Sequence, residues 1–191
     1  MSHSRCNAAV VLVSLSGIAI WSIAAPLAPV EKGTWAKPVG NLSGRILVAK
    51  ERIESSENFE LILELRNTNG RPLALQTENP FAFTVRVLNG AGKPVMATST
   101  RWDVLYSPQW AIVPRNCCLS FPVSIKSADG AKGSHLDITT LIWKLPDAKY
   151  RIEAEYSSGA FGEFKEKPEN VTLWKGTLAL PPVDVEIKTK E

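Results

Sequence analysis

With 191 residues, 45% of them apolar and 21% charged, and a formal charge of +3, the chain has the length of one folded domain and an ordinary globular composition. So small a charge, with no basic stripe or patch, gives no nucleic-acid footprint. One histidine beyond the leader and no separated cysteine pair exclude a zinc site of the usual Cys/His kinds.

In chain order, a polar head with His3 and Arg5 precedes an uncharged run from Ala8 to Ala25. Ser22 and Ala24 stand at the −3 and −1 positions of a cleavage site, so residues 1–24 read as a secretory signal. The competing reading is a retained N-terminal membrane anchor, because the run reaches the lower edge of a spanning length. Gly17, Ser14, Ser16 and Ser22 weaken it as a span, and Pro26 and Pro29 end any helix there. Either reading places the remainder outside the cytoplasm, secreted or periplasmic in the first case and membrane-anchored in the second. No Cys sits at the exit, so a lipid anchor is not expected. Residues 25–43 are rich in Pro, Gly and small polar residues and predict a flexible tether. Residues 44–191 predict a single Ig-like β-sandwich domain.

Within that domain, Ile46, Val48 and Lys50 alternate with Leu47, Ala49 and Glu51 as a first strand. Phe59, Leu61, Leu63 and Leu65 oppose Glu60, Glu64 and Arg66, the period-2 pattern of a strand with one face toward water. Asn67 to Pro72 supplies turn chemistry. Phe81, Phe83, Val85 and Val87 repeat the alternation, and Asn89-Gly90-Ala91-Gly92-Lys93 predicts a hairpin turn. Residues 101–115 are aromatic and irregular. Alternation resumes at Leu119, Phe121, Val123 and Ile125, and a loop is expected from Ser127 to His135. Leu141 to Leu145, then Tyr150, Ile152, Ala154 and Tyr156, and finally Val183, Val185 and Ile187 give the remaining strands, with a polar excursion from Ser157 to Asn170. Short strands about every ten residues, with no helical stripe after the leader, predict an all-β sandwich.

Several stretches together resemble a known family. They are the Leu61–Asn67 strand with its Asn-rich turn, Asn79 to Val87, Asn89 to Val95, Val113-Pro114-Arg115-Asn116, and Leu145 to Ile152. In this order they resemble the Ig-like intracellular proteinase inhibitor family of bacilli (BsuPI-type), over about residues 55–156. The resemblance implies an Ig-like sandwich and makes proteinase inhibition an activity to test. The chain departs from the pattern where Arg115-Asn116 and Ala148-Lys149 replace turns that usually carry Gly. Its secretory leader is also at odds with an intracellular role.

Chemistry-bearing residues are few. His135 falls in a Gly/Ser/Lys stretch and reads as a solvated loop residue; Ser134 and Asp137 are neighbours in sequence, which does not make a triad. No Gly-rich phosphate loop is present, and no paired carboxylates stand out. No catalytic, cofactor-binding or metal-ligating residue is therefore assigned, and no cofactor is expected. Cys117 is in phase with Leu119 and Phe121, so it is expected to be buried and Cys118 to lie on the opposite face. A vicinal disulfide and intermolecular pairing are the alternatives. Asn41-Leu42-Ser43 and Asn170-Val171-Thr172 match the glycosylation sequon, usable only in a eukaryotic secretory route.

Arg101, Trp102, Tyr106 and Trp110 concentrate the residue types that carry interface energy, and are the candidate partner-binding residues. Trp110 is expected to serve the core, while Trp102 or Tyr106 anchors a partner. Trp143 and Trp174 are expected in core or tether packing. The function expected is a secreted or cell-envelope, non-catalytic protein-binding domain. Its alternative is a proteinase inhibitor acting through an exposed loop, and an enzyme of unrecognised type ranks third. The partner is an unidentified protein, with a protease among the candidates. No nucleic acid is expected, and a membrane only where the N-terminal segment is retained.

Overall fold

A computed structural model describes residues 33–77, 83–99, 110–128, 133–138, 141–158 and 171–189. They form thirteen strands: β1 (Leu42–Val48), β2 (Arg52–Glu54), β3 (Phe59–Asn67), β4 (Leu73–Gln76), β5 (Phe83–Asn89), β6 (Thr98–Ser99), β7 (Trp110–Val113), β8 (Cys118–Ser127), β9 (Ser134–Ile138), β10 (Leu141–Leu145), β11 (Ala148–Ser158), β12 (Thr172–Leu173) and β13 (Gly176–Lys188). No helix occurs among the described residues. The strands build a six-stranded sheet in the order β1-β3-β8-β9-β10-β6, a four-stranded sheet β2-β13-β11-β5 and a three-stranded sheet β12-β4-β7.

The period-2 pattern decides which face turns inward. In β3, Phe59, Leu61, Leu63 and Leu65 are buried, and they sit opposite Ile125, Val123, Phe121 and Leu119 of β8. In β11, Tyr150, Ile152, Ala154 and Tyr156 are buried against Val85 and Val87 of β5 and against Leu180, Val185 and Ile187 of β13. These two inward faces pack on each other. Phe83 of β5 meets Phe121 of β8 edge to face at 4.9 Å. At Gly44 of β1 the sheets approach closely: a Cβ there would lie 3.0 Å from Cγ of Leu180 and 3.2 Å from Cδ2 of Leu178. Residues of all three sheets join one apolar core.

Buried polar tips are tied to backbone. Tyr156 Oη donates to Gln76 O at 2.8 Å, Trp143 Nε1 to Val95 O at 3.1 Å and Trp174 Nε1 to Val39 O at 2.8 Å. Trp143 and Trp174 are thus core residues, as expected. Tyr150 Oη donates to Pro146 O four residues upstream at 2.7 Å. Such a bond at the start of a strand is the tyrosine corner of Ig-type sandwiches. The fold is an all-β Ig-like sandwich.

Three local expectations change. The first strand runs over Leu42–Val48 and starts earlier than its alternation suggested. His135 lies in β9, half-buried, between Lys126 and Lys144 on the adjacent strands, and not in a loop. Residues 33–41, expected as part of a tether, are docked. Ala36 N donates to Gly44 O at 2.8 Å, Ser43 Oγ to Ala36 O at 2.7 Å, and Val39 pairs with Leu42. The Pro and Gly content that suggested a tether instead lets the chain reverse at Gly40 and Asn41, both in the left-handed region.

β13 carries Pro181 and Pro182. While β11 advances from Ile152 to Ala154, β13 advances from Val183 to Leu180, one residue more. Neither proline can donate to a ladder, so a bulge forms there.

Candidate functional site

Of the four candidate partner-binding residues, Arg101, Trp102 and Tyr106 lie outside the described residues. Trp110 opens β7, with its backbone paired to Gln76. Its side chain is not described. Downstream, Ala111 and Val113 are buried and Ile112 is 37% exposed. β7 is the last strand of its sheet, antiparallel to β4, and its other side has no strand partner among the described residues. At its end, Asn67 Nδ2 donates to Val113 O at 2.9 Å.

Asn67 is the hub that holds this region. It is fully buried, and its amide also donates to Arg71 O and Pro114 O, while its Oδ1 accepts from Asn69 N at 2.8 Å. Its backbone N donates to Cys117 O, and its carbonyl accepts from Asn116 N. Asn116 has φ of 58°, a left-handed conformation that Asn tolerates better than other side chains. That explains how Arg115-Asn116 serves where the resembled pattern has Gly. The sequence showed Asn67 only as a turn residue; its buried bonds depend on the segment 113–117, more than forty residues away.

Cys117 and Cys118 form no disulfide with each other. Their exposure is the reverse of expectation. Cys118 is 3% exposed, while Cys117 is half-buried. Cys117 precedes β8 in the turn, where its N donates to Pro114 O. Cys118 pairs with Arg66 of β3, on the outer face of the six-stranded sheet. That face is covered here. Gly33 lies against Ile46 O and Leu47 Cδ2, and the Trp35 ring lies 4.2 Å from the guanidinium carbons of both Arg45 and Arg66. Arg45 Nε also meets Glu64 Oε2 at 2.7 Å, whereas Arg66 Nε has no hydrogen-bond partner among the described residues. An indole contacting two guanidiniums offsets part of their desolvation through cation–π attraction.

The outer face of the four-stranded sheet is a charge lattice. Arg151 meets Asp184 at 2.9 Å, Arg86 meets Glu153 at 3.4 Å and Lys188 meets Glu186 at 3.1 Å. The hydrogen bond from Arg151 holds the Asp184 carboxyl below its ordinary range, and that from Lys188 does the same for Glu186. An open groove of about 590 Å³ lies at one end of this face, among Arg52, Asn89, Lys149, Arg151, Asp184 and Glu186. Opposite charges alternate along it. No group of three His, Cys, Asp or Glu residues gathers as a metal site among the described residues. His135 shares its face with Asp137, which pairs with Lys126 at 3.4 Å, while the buried Ser134 turns to the other side.

The geometry defines a class, an all-β Ig-like sandwich with an N-terminal strap. No family model, no curated protein and no solved structure matches this chain.

Proposed function

We propose that this chain is a secreted or cell-envelope, non-catalytic protein-binding module, carried out of the cytoplasm by residues 1–24. The observation that carries the reading is the edge strand β7. Its four residues, Trp110-Ala111-Ile112-Val113, include no charge and no proline. Natural sheets usually blunt an open edge with one or the other, so a bare edge suits pairing with a partner's extended segment. Ile112 projects there, and the candidate residues Arg101, Trp102 and Tyr106 lead into the strand. Loops on a rigid sandwich commonly carry function.

The test is affinity capture from an extracytoplasmic extract, comparing the native chain with Ile112→Lys, Trp102→Ala and Tyr106→Ala. A partner retained by the native chain and lost by Ile112→Lys at unchanged melting temperature supports the reading. A partner held equally by all three variants refutes it. The resemblance of residues 55–156 to proteinase inhibitors favours a second reading, in which the same loop blocks a protease. Inhibition across a protease panel, abolished by the loop variants, would select it over the general binding module.

A further inference from the structure

A different part of the molecule carries an inference that does not depend on the β7 edge. Four turns gather at the end of the sandwich where β1 begins and β3 ends. They are 37–41, 68–72, 114–117 and 174–176. Hydrogen bonds stitch them together. Thr68 N donates to Asn41 O at 2.8 Å, Asn116 N to Asn67 O at 3.1 Å, Asn67 Nδ2 to Arg71 O and Pro114 O, and Trp174 Nε1 to Val39 O. Each turn contributes one exposed cation: Lys37, Arg71, Arg115 and Lys175. None of the four turns contains Asp or Glu. None of the four cations has an ion-pair partner among the described residues.

The opposite end differs. Its turns carry Lys50, Glu51, Arg52, Glu57, Lys93 and Asp147, and Lys50 meets Glu57 at 2.9 Å. Among the described residues this end therefore carries charge of one sign, which the modest net charge of the whole chain does not reveal.

We propose that this cationic end is a docking surface for an anionic phospholipid membrane. The cations stand on separate, mutually bonded turns, so little ordering is needed to present them together. The groove of about 590 Å³, which would suit a single ligand or an acidic peptide better, lies at the opposite end. Val39, 44% exposed, and the exposed Pro38, Pro72 and Pro114 stand among the charges. Apolar residues between cations suit a headgroup boundary better than an acidic polypeptide. The leader also brings the domain near a bilayer. From Ala25 to Gly33 the chain reaches at most about 27 Å. Gly33 lies level with Ile46, about 13 Å along β1 from Leu42. The cationic end is thus within reach of a membrane that holds the leader during export or afterwards.

Cosedimentation of the full chain with vesicles tests this, using phosphatidylcholine with and without phosphatidylglycerol. The leader's own cations, Arg5 and the terminal amine, also favour anionic vesicles, but they are common to the native chain and both fourfold variants below, so the comparison between those variants isolates the contribution of the cationic end. The expected result is binding that depends on phosphatidylglycerol and weakens as salt rises. The variant Lys37→Ser/Arg71→Ser/Arg115→Ser/Lys175→Ser should lose that increment about tenfold or more. The variant Lys93→Ser/Lys126→Ser/Lys144→Ser/Lys149→Ser, with the same change in charge, should keep it. If the first variant does not fold, Arg71→Ser/Lys175→Ser supplies the same comparison. No dependence on phosphatidylglycerol, or equal loss in both fourfold variants, overturns the proposal. So does preferential binding to an immobilised acidic polypeptide, which would make the partner an acidic protein. Ile112→Lys adds a cation close to the Arg115 turn and should therefore keep or strengthen vesicle binding, whereas it should abolish capture at the β7 edge, so failure of the β7 reading is seen separately.

Discussion

At the residue scale, the buried Asn67 matters most among the polar side chains, because it bonds backbone groups of two turns at once. Asn67→Ala would remove the side-chain donor from Arg71 O and Val113 O and leave Pro114 O with Cys117 N alone. A loss of about 3 kcal/mol in a denaturant titration is expected, since an unsatisfied buried group costs about 1–3 kcal/mol. The thiols give a second check. Cys117 should react with an alkylating reagent faster than Cys118, because the latter is buried, and reductant should leave stability unchanged. Peptide mapping that finds Cys118 modified first would show that this burial does not hold in solution. Tyr156 governs the alkaline limit. Burial pushes its hydroxyl far above the ordinary tyrosine range, and burial with the nearby Asp147 raises Tyr150 less. The folded state thus keeps protons that the unfolded chain releases above about pH 10, so stability falls as pH rises through that range. Tyr156→Phe should flatten this alkaline loss, and lower stability at neutral pH by about 1 kcal/mol through the lost bond to Gln76 O. An unchanged alkaline slope in urea titrations at neutral and high pH would assign the loss to other groups.

At the element scale, β3 is the central test of strand phase. Leu63 is 1% exposed within the core, and Leu63→Ala should cost about 2–5 kcal/mol. The alternation put Glu64 on a water-facing side, where truncation costs little. The structure pairs it instead with Arg45 at 2.7 Å, with its side chain 12% exposed, and Glu64 Oε1 accepts from Ser120 Oγ at 3.4 Å. Glu64→Ala should therefore cost about 1–2 kcal/mol, between the cost at an exposed site and that of breaking a buried pair. A loss at Glu64 as large as that at Leu63 would invert the assigned faces. In β1, Gly44→Ala should cost about 1–3 kcal/mol, because the added methyl presses on Leu178 and Leu180 across the sandwich. A neutral result in thermal melts would mean that β1 and β13 separate freely.

At the scale of the whole molecule, the period-2 runs in β3, β5, β8, β11 and β13 were legible because alternation is a local property of a strand half-buried in a core. The tyrosine and tryptophan anchors were legible as large apolar rings, though their acceptors were not. What the sequence by itself determined is the all-β class and the inward phase of the main strands. Only the tertiary structure decided that residues 33–41 form a strap and not a tether. It also reversed the order of thiol burial, placed His135 in a strand and gathered Lys37, Arg71, Arg115 and Lys175 at one end. The physical reason is common to all four. Local pattern records which side of a strand is apolar, but covering a face or collecting charges depends on which distant turns meet. Those meetings are fixed by hydrogen bonds such as Thr68 N to Asn41 O and Asn67 Nδ2 to Pro114 O, which span tens of residues and leave no periodic trace.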